Sequence, residues 1–213
     1  QTGIVGKWHL GDNYPHRPMD QGFMHALTHK SGGIGQPGDV ENFAAGDRAY
    51  FDPVLFKNGK KVRTKGYCSD VFTEEAIAFI KDQRADPFFL YLAFNAPHTP
   101  LQVPEKYQNL YKDISLADYR KEFRGKDSDV ENMTEGNLED ARKVYGMVTN
   151  IDDNIGRIVD ALDREKLSDN TVIIFMSDNG PQQRRFKIGY RGLKGSVYEA
   201  GVRVPFFVYN AGK

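Results

Sequence analysis

The chain has 213 residues, of which 39% are hydrophobic and 12% aromatic, a composition that excludes intrinsic disorder and supplies apolar side chains for one sizeable domain. Its 29 basic and 29 acidic residues cancel, so no net charge attracts nucleic acid or an anionic membrane surface. The longest apolar run, Phe88–Phe94, falls well short of the roughly 18 to 20 residues that span a bilayer, and the single cysteine, Cys68, excludes an internal disulfide and a multi-cysteine zinc site.

The first half of the chain predicts a loop, a hairpin, a helix and a strand, in that order. Ser31–Arg48 is rich in glycine and indicates a long loop, which in a compact domain is usually functional. Val54–Val62, with Asn-Gly at its centre, predicts a hairpin with a type I′ turn. Ser69–Arg84 carries apolar residues at helical spacing with Ser69 as N-cap, and Pro87–Phe94 is a continuous apolar run typical of a buried strand.

The second half predicts a surface segment, a long helix and two more strands. Leu110–Gly136 is charged and poor in large apolar residues, which indicates a surface excursion. An apolar face then recurs with the 3.6-residue period over about eight turns. Its members are Leu138, Ala141, Tyr145, Val148, Ile151, Ile155, Ile158, Leu162 and Leu167. Thr171–Met176 and Val204–Tyr209 are short apolar runs that again predict buried strands of a parallel sheet.

This order of elements predicts the fold class. A helix followed by a buried strand, twice in succession, is typical of an α/β fold with a mainly parallel, mixed sheet flanked by helices. The chain carries no repeat or linker, so a single domain over residues 1–213 is expected. In open α/β sheets ligands bind outside the carboxyl ends of the strands, and the candidate site residues are therefore sought there.

Two strand ends carry residues suited to chemistry. The first is followed by Asn95–Pro100, a turn with two prolines and one histidine, His98, which is either functional or a hydrogen-bonded turn residue. The second is followed by Asp178 and Asn179, whose carboxylate and amide oxygens are the ligands that calcium takes. An Asp-Asn-Gly sequence also forms tight turns without any metal, so both interpretations stay open.

Two cation groups complete the candidates. Five cations follow the second strand end, and no acid lies between Asp178 and Glu199. They are Arg184, Arg185, Lys187, Arg191 and Lys194. Such a group suits a sulfate or phosphate, or is a solvated basic loop. Near the start of the chain, Lys7 and His9 stand two apart and would point the same way from extended backbone, unless they are ordinary surface residues.

Four segments together resemble a known family, the type I sulfatases of the arylsulfatase group within the alkaline-phosphatase-like superfamily. They are Gly6–Gly11 (GKWHLG), Asn95–Pro104 (NAPHTPLQVP), Ser177–Gly180 (SDNG) and Arg191–Pro205 (RGLKGSVYEAGVRVP). Their order and approximate spacing also fit the family. The resemblance implies an alkaline-phosphatase-like sulfatase catalytic domain that hydrolyses aryl or glycan sulfate esters, in a protein that is exported to the periplasm, the extracellular space or the lysosome.

The resemblance assigns a role to each matching residue. Lys7 and His9 would flank the nucleophile, with Lys7 also bridging to the sulfate. His98 and Lys194 would hold the sulfate oxygens and assist departure of the alcohol, and Arg191 would add to substrate binding. A second set, Asp178 and Asn179, would be ligands of one calcium ion. The partner is thus a small-molecule or glycan sulfate ester, with no nucleic acid and no membrane span.

One part of the family pattern is missing. The family makes a formylglycine nucleophile from a Cys/Ser-x-Pro-x-Arg motif, and these 213 residues contain none. Cys68 precedes a predicted helix and is expected to be an ordinary semi-buried cysteine. The family's paired N-terminal aspartates are also absent, and Asp152 and Asp153 fall inside the predicted long helix. The resemblance therefore implies a catalytic domain incomplete at its N-terminus, inactive by itself, whose remaining calcium ligands lie in the missing part.

Two other functions stay open. A phosphomonoester or phosphonate hydrolase of the same superfamily would use similar cations, although a single histidine in Asn95–Pro100 and a single oxygen pair favour a one-metal sulfatase. A non-catalytic protein that binds sulfated glycans through His98, Arg191 and Lys194 would explain the missing nucleophile. Retention of Lys7 and His9, whose task would be to serve that nucleophile, argues against it.

Overall fold

The computed structural model describes residues 1–210 and divides into two compact units. The first unit comprises residues 1–104 and 147–167, and the second comprises residues 105–146 and the chain from Ser168 onward. The strands are β1 (Thr2–Gly6), β2 (His25–Thr28), β3 (Val54–Lys57), β4 (Lys60–Arg63), β5 (Phe89–Ala93), β6 (Val172–Met176) and β7 (Phe206–Asn210). The helices are α1 (Val40–Phe43), α2 (Cys68–Asp82), α3 (Glu105–Gln108), α4 (Leu116–Phe123), α5 (Ser128–Glu131), α6 (Glu135–Arg164) and α7 (Glu199–Val202), with 3-10 turns at Pro18–Gln21, Gly46–Arg48 and Ser168–Asn170.

The first unit is built on a five-stranded mixed sheet in the order β4-β3-β2-β1-β5. Strand β1 pairs in parallel with β2 and β5, whereas β3 pairs antiparallel with β2 and β4. The central strand is the most buried, with Ile4 and Val5 fully inaccessible to solvent. The predicted fold class, a mixed sheet flanked by helices, is confirmed.

Three parallel strands of this sheet end at one edge. In the register of the sheet, Gly6 of β1 lies opposite both Thr28 of β2 and Ala93 of β5. The residues that follow these positions, beginning with Lys7 and His29, therefore start side by side at the carboxyl edge. This is the edge where open α/β sheets bind their ligands.

Helix α2 covers the sheet through a close approach to β1. Its buried residues include Phe72, Ala76, Phe79 and Ile80, at the spacing that predicted the helix. A Cβ on Gly3 would lie 2.8 Å from the Phe79 ring, so glycine there lets the ring rest on the strand. The predicted N-cap is wrong, because the helix begins at Cys68 and Ser69 lies within its first turn.

Two other predicted features of the first unit are confirmed. Asn58 and Gly59 both have positive φ angles, 48° and 78°, as a type I′ turn requires. The glycine-rich segment from Ser31 to Arg48 is a loop, interrupted by α1 and one 3-10 turn. The long helix α6 also forms, and in its second half Asn150 and Asn154 donate to Asp70 Oδ1 at 2.9 and 2.8 Å.

The second unit has a helical core where a surface excursion was predicted. Residues of α4, α5 and α6 and of the α5–α6 connection form a buried apolar cluster. Its members are Tyr119, Val130, Met133, Leu138 and Ala141. The prediction for Leu110–Gly136 is wrong because a few well-spaced apolar residues are enough to bury one side of short, charged helices.

Strands β6 and β7 form where predicted but differ in pairing and burial. They pair antiparallel as a separate two-stranded sheet, and most of their side chains are exposed, including Ile174 at 55% and Phe207 at 64%. The prediction of buried parallel strands is wrong for this pair. Their continuous apolar sequence is typical of strands covered on both faces, but within residues 1–210 neither face is covered.

Over the described residues, the longest helix, α6, is too polar to cross a bilayer, and no other helix is both long and apolar enough to do so.

Candidate functional site

Lys7 and His9 follow directly from the end of β1. The Lys7 backbone N–H donates to the Ala93 carbonyl at 2.8 Å, so the ladder with β5 extends to Lys7. His9 has a φ angle of 54°, in the left-handed region, and the chain turns there. The prediction that both side chains project from extended backbone is therefore wrong, although both residues begin at the carboxyl edge of the sheet.

The turn that holds His98 is supported by a buried polar network. The His98 Nδ1 bonds the Thr99 carbonyl at 2.7 Å, and because a carbonyl only accepts, this nitrogen carries the proton. The Tyr50 hydroxyl donates to the His98 carbonyl at 2.6 Å and accepts from the Asn95 side-chain amide. The Tyr50 backbone N–H in turn donates to Gln102 Oε1 at 2.8 Å. The backbone carbonyl and the Nδ1 of His98 are thus both held by neighbouring groups.

The glycine-rich loop lies against His9 and His98. A Cβ on Gly32 would lie 2.6 Å from the His9 ring, and one on Gly33 would lie 3.3 Å from His98 Nδ1. The loop is tied to the His98 turn by the Gln36 side-chain amide, which donates to the Thr99 carbonyl at 3.0 Å. Two residues that the sequence places 89 positions apart are therefore neighbours of one short glycine segment.

Sequence reasoning missed a third histidine at this edge. His29 follows β2 directly and is only 2% exposed. Burial, together with the charges of Lys7 and His9, lowers its pKa to about 4, against the opposing effects of the Lys30 carbonyl and Asp12. Strand β2 has only four residues and no long apolar run, so the sequence did not predict a strand that ends before His29. Lys7, His9, His29 and His98 are called the histidine cluster below.

Asp178 and Asn179 follow β6 in the second unit. Asp178 is exposed, and the Asn179 side-chain amide donates to the Gly180 carbonyl at 2.9 Å, which leaves Asn179 Oδ1 as the acceptor of that side chain. The three side-chain oxygens of Asp178 and Asn179 suit a hard cation such as calcium, but calcium takes about six to eight oxygen ligands. Among residues 1–210 no group of three or more His, Cys, Asp or Glu side chains could hold a metal.

A second segment packs against this turn by direct backbone contact. The Gly180 N–H donates to the Gly201 carbonyl at 3.0 Å, and the Lys194 N–H donates to the Pro181 carbonyl at 2.8 Å. A Cβ on Gly180 would lie 1.6 Å from the Ala200 carbonyl oxygen, so only glycine permits this approach. The contacts bring Asp178 and Asn179 near the segment that carries Arg191 and Lys194. These four residues are called the oxygen–cation cluster below.

The other cations of this region do not form the predicted anion site. Arg184 and the buried Lys187 both form ion pairs with Asp129, the former at 3.3 Å. Burial lowers the pKa of Arg185, against the effect of neighbouring tyrosines. Arg191 lies 3.9 Å from the Tyr198 ring centroid and Lys194 is exposed. The five-cation prediction is wrong for Arg184 and Lys187, because their acidic partner lies over 50 residues away in sequence.

Cys68 and the aspartate pair have structural positions. Cys68 is fully buried, and burial raises the pKa of its thiol to about 12, so the thiol is protonated near neutral pH. Asp152 and Asp153 are exposed members of helix α6. The helical position of the two aspartates agrees with the sequence analysis, whereas Cys68 is fully buried where a semi-buried cysteine was expected.

Comparison with known proteins identifies relatives over the whole chain. The profile of the Sulfatase family matches residues 1–213. An arylsulfatase of Clostridium perfringens is 35% identical, over 99% of this chain and 50% of its own, and one of Hemicentrotus pulcherrimus is 31% identical, over 98% and 35%. A solved structure titled Ps i-CgsB in complex with k-i-k-neocarrahexaose matches with a TM-score of 0.76 and 32% identity, over 99% of this chain and 44% of its own. The chain thus spans about a third to a half of the length of these proteins.

Proposed function

The chain belongs to the sulfatase family, and from that premise we propose that it forms the part of a sulfuric ester hydrolase that holds the sulfate group. The observation that carries the proposal is the contact of one glycine segment with the rings of His9 and His98, at the edge where Lys7 begins. An ammonium and two imidazoles at one sheet edge supply hydrogen-bond donors suited to a tetrahedral anion.

In the histidine cluster, Lys7 neutralises charge on the sulfuryl oxygens, and with His9 it flanks the nucleophile. His98 holds a sulfate oxygen and donates a proton to the departing alcohol. The Thr99 carbonyl supports this role, because its bond to Nδ1 fixes the orientation of the imidazole ring. The network from Tyr50 fixes the backbone of that histidine and so limits the directions its ring can take.

In the oxygen–cation cluster, Lys194 holds sulfate oxygens and Arg191 adds a planar cation, whose guanidinium lies over the Tyr198 ring. Asp178 and Asn179 would hold a calcium ion, which when bound neutralises charge on the sulfuryl group. Their three side-chain oxygens fit such an ion but are too few to complete its coordination shell. Other parts of the protein or water must supply the rest.

The chain by itself is proposed to be inactive. Its 213 residues contain no Cys/Ser-x-Pro-x-Arg sequence, and the thiol of Cys68 is buried and protonated. The relatives with arylsulfatase names are two to three times longer than the matched segment. The nucleophile of the whole protein is therefore expected outside these residues.

The substrate is proposed to be an aryl or glycan sulfate ester, and the protein is proposed to be exported. The arylsulfatases named above support the first class, and the neighbour solved with an oligosaccharide supports the second. Exposure of Lys194 and Arg191 leaves room for a bulky organic group beside the cations.

Calorimetric titration of the chain with 4-nitrophenyl sulfate, with and without calcium, tests this function. We expect binding that weakens in Lys7→Met and Lys194→Met and is unchanged in Lys60→Met, a control lysine on the exposed strand β4. Equal binding by all three variants would contradict the assigned roles. Tighter binding of 4-nitrophenyl phosphate would favour a phosphoesterase, and turnover of the sulfate ester would refute the proposed inactivity.

A further inference from the structure

Arg185 is a partly buried cation that has no acidic partner within residues 1–210. Its guanidinium donates to Gln183 Oε1 at 3.4 Å, a long hydrogen bond to a neutral amide. The titratable groups of the described chain that act on it are the hydroxyls of Tyr145 and Tyr119. Burial raises the pKa of Tyr145 above its ordinary value, so that hydroxyl carries no charge near pH 7. The charge of Arg185 is therefore partly removed from water and is not neutralised.

The backbone on both sides of Arg185 is held in place. On one side, the Phe186 N–H donates to the Tyr119 hydroxyl at 3.0 Å. On the other side, Arg184 forms an ion pair with Asp129 at 3.3 Å. A side chain on a fixed backbone loses less conformational freedom when a ligand binds, so Arg185 is pre-organised.

A partly buried guanidinium suits one class of ligand. Its planar group of donors matches the oxygens of a carboxylate or a sulfate, and an ion pair formed away from bulk water is stronger than an exposed pair. A buried charge without a partner lowers the stability of the fold that carries it. The fold therefore gains nothing from the charge of Arg185 until an oxyanion pairs with it.

Arg185 lies in the same unit as the oxygen–cation cluster. Arg191 follows it six positions later, a span of about 20 Å at most when fully extended. A turn shortens this span, because the Tyr190 N–H donates to the Lys187 carbonyl at 3.1 Å and the Lys187 ammonium donates to the Tyr190 carbonyl at 2.9 Å. A ligand held at Arg191 and Lys194 is therefore within reach of Arg185.

We propose that Arg185 is a specificity-determining residue: its guanidinium binds a second oxyanion, a carboxylate or a sulfate on the organic part of the ligand, while Arg191 and Lys194 hold the sulfate ester. The inference rests on the proposed function for the identity of that ester, and on the surroundings of Arg185 for the second oxyanion. A ligand with one acidic group does not use Arg185, whereas a ligand with two binds more tightly because of it.

Guanidinium ¹⁵N NMR of the 213-residue chain tests the oxyanion site directly, with inorganic sulfate and sodium acetate as separate probes. We expect a saturable shift of the Arg185 Nε–H resonance with at least one probe. The probe that saturates at the lower concentration shows whether sulfate or carboxylate is preferred. The matched control is Arg124, an exposed arginine directly after α4, whose shift should not saturate.

Two NMR results would overturn the inference. One is an Arg185 resonance that saturates with neither probe, as at an ordinary exposed arginine. The other is loss of the Arg185 shift in Lys194→Met, which would show that the oxyanion belongs to the oxygen–cation cluster and not to a second site.

Urea unfolding, followed by circular dichroism, separates a binding role of Arg185 from a structural one. Arg185→Met removes a charge that is not neutralised and keeps a long side chain, so the urea midpoint should be unchanged or higher. Arg124→Met should leave the midpoint unchanged. A clearly lower midpoint in Arg185→Met would assign the guanidinium to support of the fold and overturn the binding role.

Calorimetric titration compares a ligand with one acidic group, 4-nitrophenyl sulfate, and a ligand with two, glucosamine 2-N,6-O-disulfate. Arg185→Met should weaken binding of the disulfate about 10-fold and change binding of the monosulfate less than about 2-fold. Arg124→Met should change neither. Equal effects of Arg185→Met on both ligands would overturn the specificity role. If the unmodified chain binds neither ester, the proposed function fails, while the NMR titration still decides the oxyanion site.

Discussion

The two clusters are positioned by different physical means. The histidine cluster begins where three parallel strands end in register, and its turn is fixed by buried side-chain hydrogen bonds. The oxygen–cation cluster follows β6, a strand with exposed side chains, and is fixed by backbone contacts at Gly180 and Gly201. The first arrangement depends on polar side chains beneath the site, and the second depends on the absence of side chains. Different substitutions should therefore disrupt the two clusters.

The largest effect is expected from Gly180→Ala in the second unit. The new Cβ would meet the Ala200 carbonyl oxygen, part of the backbone, so the turn and the segment from Arg191 to Gly201 must separate. We expect the free energy of unfolding of this unit to fall by at least about 3 kcal/mol, the upper range for overpacking a core. Hydrogen exchange of amides in residues 177–201 measures it. The control is Gly156→Ala in helix α6, where the new Cβ meets open space; it should stabilise the chain by about 0.5 to 1 kcal/mol. If both variants lower stability by a similar amount, the close backbone approach at Gly180 does not hold this cluster together.

A pH effect of similar size is expected in the first unit. Burial depresses the pKa of His29 to about 4 in the folded chain, so on acidification the unfolded chain takes up this proton first. The free energy of unfolding should fall by up to about 3 kcal/mol as the pH is lowered from 6.5 to 4. Above pH 6.5 this histidine should not change it. The single tryptophan, Trp8, lies in the first unit, and its fluorescence during urea unfolding measures the loss.

The variant His29→Gln should remove this part of the pH dependence. His16→Gln, at an exposed histidine of the same unit, should keep it. A slope that persists in His29→Gln would assign the effect to other groups and contradict a buried neutral histidine at the sheet edge.

A smaller effect is expected from Tyr50→Phe. The change removes the donor to the His98 carbonyl and the acceptor of the buried Asn95 amide, which should cost about 1 to 3 kcal/mol. Urea unfolding followed by Trp8 fluorescence measures it. Tyr14→Phe is the control, since Tyr14 is 78% exposed and should change stability by less than about 0.5 kcal/mol. If both variants unfold alike, the network under His98 does not support the turn.

Sequence patterns were sufficient where local physics decides the structure. The Asn58-Gly59 turn, helices α2 and α6, and the positions of β5, β6 and β7 all follow from spacing, turn residues or apolar runs. The two strands that were missed, β1 and β2, are short, and β1 contains two glycines, so neither shows a β pattern.

Non-local contacts account for the failures. The charges of Arg184 and Lys187 looked unopposed because Asp129 is distant in sequence. His29 was not predicted as a site residue because its position beside Lys7 depends on the register between β1 and β2. The exposure of β6 and β7 could not be predicted either. Their apolar sequences are typical of strands that are covered on both faces, but within residues 1–210 neither face is covered.

The most direct test of the central claim uses the five histidines of the chain as internal probes. Imidazole resonances would be followed by ¹⁵N NMR during titration with inorganic sulfate. We predict saturable shifts of His9, His29 and His98, while His16 and His25 stay in place because they lie outside the histidine cluster. Equal shifts of all five, or none in the cluster, would contradict a sulfate site at the carboxyl edge of the sheet.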